Sequence, residues 1–288
     1  MPATRKFPPL LAVVLFLPVA CAGGDTDQDT GGAATTDADA YTVPADSAAV
    51  ITGVVRFEGT APAPEPIDMS EEPTCAEKHP DGPAFQRVAV NDDGTLRNVF
   101  VYVRDGLGER QFGSATEQKV IDQVGCMYQP HVTGLQTGQP LVFRNSDGLL
   151  HNVNAQPEAN RPFNISQPTS MDSPARTFTQ PEIMIPIRCD VHGWMEAYVA
   201  VVEHPYFAVT GEDGSFRIEN LPPGDYTVEA WHERLGTQTM QVTVAPQQTG
   251  ETTFTFREGM AGRPVPMGAP IDPHDHGRVA TAAAGGAH

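Results

Sequence analysis

Cys189-Asp190-Val191-His192-Gly193-Trp194-Met195 is the stretch whose residue types and spacing best suggest chemistry. A thiolate, an imidazole and a thioether, each two residues from the next, can converge on one small ion from a single short loop. The softness of these donors narrows the ion. Thiolate and thioether suit Cu(I), and imidazole serves both copper oxidation states, so an electron can come and go with little ligand movement. A fourth donor must come from elsewhere, and His151 in His151-Asn152-Val153 offers a second imidazole. Zinc would accept the cysteine and both histidines but gives Met195 no purpose. Taken singly, each residue has an ordinary reading as a buried thiol, a hydrogen-bonded imidazole or a core filler. Their joint spacing carries the metal expectation.

Such a site needs its thiol free. Four cysteines occur: Cys21, Cys75, Cys126 and Cys189. Arg5 and Lys6 precede an apolar run, residues 7–20, that is too short to span a bilayer and reads as an export signal. Leu17-Pro18-Val19-Ala20-Cys21 then resembles a bacterial lipobox, with Pro18 where that motif prefers Leu. The resemblance implies lipidation of Cys21, and contact with the membrane only through that anchor. Cleavage after Ala22 is the competing reading, because Ala20-Cys21-Ala22 fits a small-x-small signal site. Export to the periplasm or cell surface places the cysteines in an oxidising compartment, where free thiols rarely persist without a reason. Cys75 and Cys126 lie among turn residues and pair here as a disulfide, which leaves Cys189 for the metal.

The elements that position these residues read as short strands. Glycine and proline number 27 each, a turn-rich balance. Alternating apolar and polar residues mark 51–57, 98–103, 141–144, 184–187, 197–202, 215–218, 226–231, 239–244 and 252–256. No amphipathic helix of useful length is legible, so the expected class is all-β. Residues 22–48 are small, polar and acidic and read as a disordered tether. The Gly/Ala/Pro-rich stretch 258–288 reads as a disordered tail. A net charge of −18, from 36 acidic and 18 basic residues, excludes nucleic acid as a partner and suits docking to a basic protein. Other candidates are weaker. His232-Glu233 opens like a zinc-protease motif, but Gly236 stands where the second histidine belongs. His274, His276 and His288 sit in the tail, and His131 and His204 read as structural. No nucleophile elbow, dinucleotide fingerprint or P-loop occurs.

Two family resemblances organise this pattern. Residues 206–257 carry Asp213-Gly214-Ser215-Phe216 and Leu221-Pro222-Pro223-Gly224-Asp225-Tyr226. They resemble carboxypeptidase regulatory-like modules, whose fold is a transthyretin-like (carbohydrate-binding-like) β-sandwich. Asp213-Gly214 and Pro223-Gly224 read as hairpin punctuation, each with an aromatic residue two positions on to anchor the core. The run lacks the module's opening strands, which 51–57 and 98–103 resemble. Between them lies Gly138-Gln139-Pro140-Leu141-Val142-Phe143-Arg144-Asn145-Ser146-Asp147, followed by His151-Asn152-Val153. With the Cys-x2-His-x2-Met loop before a strand, this resembles the cupredoxins of the short-looped amicyanin type.

The resemblances imply two β-sandwiches after a signal at 1–21. A Greek-key cupredoxin at 116–205 is inserted into a transthyretin-like sandwich built from 49–115 and 206–257. A tandem, with 50–203 as the first domain, is the alternative. The cupredoxin resemblance implies one type 1 (blue) copper, with His151, Cys189 and His192 equatorial and Met195 axial. Asn152 would steady the ligand loop, and Trp194 would mark the docking surface for an envelope redox partner. The strand entering the thiolate, Met184-Ile185-Pro186-Ile187-Arg188, departs from the family's Gly-x-Tyr-x-Tyr pattern. That bears on packing around sulfur, not on ligand number. Four protein ligands leave no place for a substrate, so an electron carrier is expected and not an enzyme. The rival readings are an envelope binding module with a vestigial metal site, and a copper chaperone or storage protein.

Overall fold

A computed structural model describes residues 40–85 and 87–260. The apolar leader, Cys21, most of the acidic stretch and the tail with its histidines lie outside the described residues. Among the described residues no helix is long and apolar enough to cross a membrane.

The first sandwich begins with β1 (Ala49–Glu58), which lies between β13 (Ser215–Leu221, antiparallel) and β16 (Thr249–Arg257, parallel). The facing sheet runs β12 (Phe207–Val209), β2 (Phe100–Asp105), β14 (Gly224–His232), β15 (Gly236–Val244). Side chains on a strand alternate between faces. Ile51, Val55 and Phe57 therefore meet Val101, Val103, Phe216, Tyr226, Phe254 and Phe256 in one buried core.

The two Gly-containing turns differ from the sequence reading. β12 and β13 belong to facing sheets, as do β13 and β14, so Asp213-Gly214 and Pro223-Gly224 carry the chain across the core rather than closing hairpins. The cause is the aromatic residue two positions past each turn. Phe216 and Tyr226 both point into the space between the sheets, and the Tyr226 hydroxyl donates back to the Pro222 carbonyl. Gly214 has φ +67°, and a Cβ there would lie 2.5 Å from Thr95 Cβ, so only glycine fits the crossing.

All of β3 to β11 falls between β2 and β12 and builds a second sandwich. One sheet has the order β5 (Val132–Gln136), β11 (Glu196–Val202), β10 (Glu182–Arg188), β7 (His151–Ala155), β8 (Phe163–Gln167). The other has β4 (Met127–Gln129), β3 (Lys119–Val124), β6 (Leu141–Asn145), β9 (Met171–Asp172). Ile121, Leu135, Phe143, Val153, Ile187 and Val199 fill the space between them. The second sandwich is thus inserted in the first.

Every residue of β11 is buried because the strand is packed on both faces. Ala197, Val199 and Val201 face the second core, while Tyr198, Ala200 and Val202 pack against Phe100 and Tyr102 of β2. At this junction His131 Nε2 bonds Glu233 Oε1 at 2.9 Å, so both residues have the structural part expected of His131.

The connection from β1 to β2 does not stay with the first sandwich. Ile67, Met69 and Cys75 belong to the second core, and α1 (Pro73–Ala76) is one turn of helix lying there. A disulfide joins Cys75 to Cys126 across a separation of 51 residues. Closing a loop of that length removes about 4 kcal/mol of chain entropy from the unfolded state in the simple model.

Candidate metal centre

The candidate ligands sit at the ends of two neighbouring strands. His151 is the first residue of β7, and Cys189 directly follows β10. β7 and β10 are antiparallel, with Arg188 opposite Asn154, so the ladder delivers Cys189 beside the start of β7. The loop then returns within itself. Met195 N–H donates to the His192 carbonyl at 2.9 Å, Cys189 N–H to the Met195 carbonyl at 3.3 Å, and His192 N–H to Cys189 Sγ at 3.4 Å.

His151, Cys189 and His192 come together, with one donor atom from each lying within 4.8 Å of the others. The two Nδ1 atoms are 2.9 Å apart, and Cys189 Sγ is 3.8 Å from His192 Nδ1. Nitrogens that close can touch a single ion. Met195 closes the same loop, is 1% exposed and shares a core cluster with Cys189. Two imidazoles and a thiolate in a buried cluster fit copper.

The His151 imidazole is held by its far nitrogen, which aims the other inward. His151 Nε2 bonds Asp147 Oδ2 at 3.0 Å. Asp147 is itself enclosed by the N–H groups of Gly125 and Cys126, at 2.8 and 2.7 Å, and by Lys78 Nζ at 3.0 Å. Burial alone would raise the Asp147 carboxyl, but these donors outweigh it and hold it well below the usual carboxylate range. Burial likewise opposes a charged His151, yet Asp147 and the Cys189 sulfur raise it to about 9. For Cys189, burial is overcome by hydrogen bonds from His151, His192 and the N–H groups of Asn152 and His192, which bring the thiol down to about 6. A pocket that stabilises thiolate without metal is prepared to bind a soft cation.

Asn152 grips the residue after the thiolate. Its Oδ1 accepts from Asp190 N–H at 2.6 Å and its Nδ2 donates to Asp190 Oδ2 at 2.8 Å. Asn154 and Asn164 donate to the same carboxylate at 2.8 and 2.7 Å. Tyr128 Oη lies between the carbonyls of Asn152 and Arg188, tying the ligand-bearing ends of β7 and β10 together. Trp194 is half-buried; its Nε1 donates to the Cys126 carbonyl at 3.0 Å, and its ring lies 5.1 Å from that of His192.

Sequence reasoning missed Asp147, Lys78, Tyr128 and Asp190. Asp147 alone carried a local signal, a carboxylate four residues before a ligand histidine. His232 ends β14, buried, with Nδ1 accepting from the N–H groups of Arg234 and Leu235, and burial drives it down to about 4. It has no part in the metal centre.

Residues 195–257 match the carboxypeptidase regulatory-like domain. The match takes in β11 of the second sandwich as well as β12 to β16, and leaves β1 and β2 outside. No curated protein matches. Among solved structures, the chain is similar to a Cu-containing nitrite reductase from Thermus scotoductus SA-01, at 19% identity over 34% of this chain and 24% of that one, with a TM-score of 0.28. It thus spans about a quarter of that enzyme's length. A mutant of amicyanin in its Cu(I) form is 18% identical over 35% of this chain and 97% of its own, with a TM-score of 0.27. A purple cupredoxin from Nitrosopumilus maritimus is 19% identical over 29% of this chain and 97% of its own, with a TM-score of 0.25.

Proposed function

We propose that this is an exported type 1 copper protein that carries single electrons in the cell envelope, with one copper held by His151, Cys189, His192 and Met195. The observation that carries the reading is the convergence of both Nδ1 atoms and Sγ in a pocket that also lowers the thiol to about 6. When bound, copper supplies a one-electron couple. The chain supplies constancy. Asp147 fixes His151, the Asn152–Asp190 bonds fix the thiolate loop, and burial of all four ligands excludes water. Four protein ligands leave no open position for substrate, which makes it a carrier and not an enzyme. Enclosure also favours retention of copper over the rapid hand-over of a chaperone. Export and lipidation at Cys21 rest on the leader sequence.

The redox partner docks beside the ligand loop, where Leu150 and Val191 are exposed next to His151 and His192 and Trp194 lies alongside. The acidic chain suits a basic partner. Trp194→Ala is expected to slow electron exchange while the copper keeps its colour; an unchanged rate would place docking elsewhere.

The deciding experiment is the visible spectrum of the purified protein after addition of Cu(II), beside Cys189→Ser. An intense thiolate-to-copper band at one copper per chain, lost in the variant, is expected. A colourless wild type would overturn the reading.

A further inference from the structure

The metal centre is closed by a loop from the other sandwich. Its feet are paired: Phe85 N–H donates to the Glu65 carbonyl and Ile67 N–H to the Pro83 carbonyl, each at 2.9 Å. Arg87 fastens them, with Nη1 2.7 Å from Glu65 Oε2 and Nε 2.7 Å from Glu196 Oε1. Glu196 directly follows Met195, so the base of the loop is tied to the end of the ligand loop.

The crown is tied at three more points. Cys75 is disulfide-bonded to Cys126. His79 Nε2 bonds the Gly125 carbonyl at 2.7 Å. Lys78 Nζ lies 3.0 Å from Asp147, whose other oxygen bonds His151. Glu72, just before α1, stands 3.9 Å from the outward Nε2 of His192. Under this loop His192 is 4% exposed and His151 fully buried. Lys78 Nζ places a positive charge against an Asp147 carboxylate whose side chain has no solvent, and so offsets that charge.

We propose that residues 65–85, fastened by Arg87, form a built-in cover that governs copper exchange, and that Lys78 is a positioning residue acting through Asp147 on His151. The proposal rests on the copper reading. Copper enters and leaves when the cover lifts, and the orientation of His151 depends on a charge supplied by the host sandwich. Partners of a metal-bound histidine typically change metal affinity 10–100-fold when removed.

The test compares full-length wild type with Lys78→Met, Lys78→Arg and Cys75→Ala/Cys126→Ala. Two rates are measured: transfer of Cu(I) to an excess of a bidentate chelator, and alkylation of Cys189 by iodoacetamide in metal-free protein, read by peptide mass spectrometry. Lys78→Met and the disulfide-free variant are expected to speed both by tenfold or more, and Lys78→Met to shift the copper electron-spin signal. Lys78→Arg restores wild-type values. Should the disulfide-free variant not fold, the Lys78 pair decides alone. Wild-type rates and spectra in Lys78→Met would overturn the proposal. A wild type without the thiolate band, yet with alkylation that depends on Lys78, would sink the copper reading and leave the cover standing.

Discussion

At the scale of single residues, the candidate centre is a set of donors in which His151 and the Cys189 loop are held by further groups. The four proposed ligands stood out because a thiol, two imidazoles and a thioether announce their chemistry by type and spacing, and the structure brings His151, Cys189 and His192 together. The groups that hold them were not. Lys78 and Tyr128 are ordinary residues until folding sets one beside Asp147 and the other between two carbonyls. Asn152 lies between these cases, since its place after His151 suggested a supporting role and the structure adds the partner, Asp190. Asn152→Ala removes both bonds to Asp190 and leaves its carboxylate held by the Asn154 and Asn164 amides. Copper affinity is expected to fall about 10–100-fold, measured by competition with a chelator of known affinity. An unchanged affinity would mean that the two remaining amides suffice to hold the loop.

At the scale of elements, the junction between sandwiches depends on how closely β5 approaches the first sandwich. Gly134 sits in β5 at that contact, and a Cβ there would lie 2.6 Å from the Phe207 ring and 2.8 Å from that of Phe100. Both rings are rigid and Phe100 is fully buried, so neither can yield without moving β2 or β12. Gly134→Ala is expected to destabilise the protein by about 1–3 kcal/mol through overpacking, read from denaturant unfolding; a neutral result would show that the sheets can separate slightly at no cost. This contact also shows why part of the fold escaped the sequence. β5, Val-Thr-Gly-Leu-Gln, is buried along its whole length yet has no apolar alternation, because a glycine and two polar side chains fit between its layers. β7, His-Asn-Val-Asn-Ala, is equally buried and reads as a polar loop because its side chains serve the ligand network. The strands that were legible, such as β1 and β16, have one face in a core and one in solvent, the condition under which period-two patterning appears.

At the scale of the whole molecule, an insertion was legible because the C-terminal module lacked its opening strands, and β1 and β2 complete it in the structure. How tightly guest and host are joined was not. They share the buried cluster around Phe100 and Tyr198, the cover loop and a disulfide, so opening one sandwich exposes apolar surface of the other. One cooperative transition is therefore expected, and copper bound to the guest stabilises the host as well. The chain contains only two tryptophans, Trp194 in the ligand loop and Trp231 on β14, one in each sandwich. Trp194→Phe and Trp231→Phe thus leave one reporter apiece. Copper at about 1,000 times its dissociation constant contributes about 4 kcal/mol, and in a domain of about 200 residues each kcal/mol moves the midpoint by about 2–4 °C. Each variant is compared with itself, with and without metal, so the lost indole cancels. Both reporters are expected to rise together by on the order of 10 °C. If copper moves the Trp194 midpoint and leaves that of Trp231 in place, the sandwiches unfold separately, and the junction holds them together without coupling their stability.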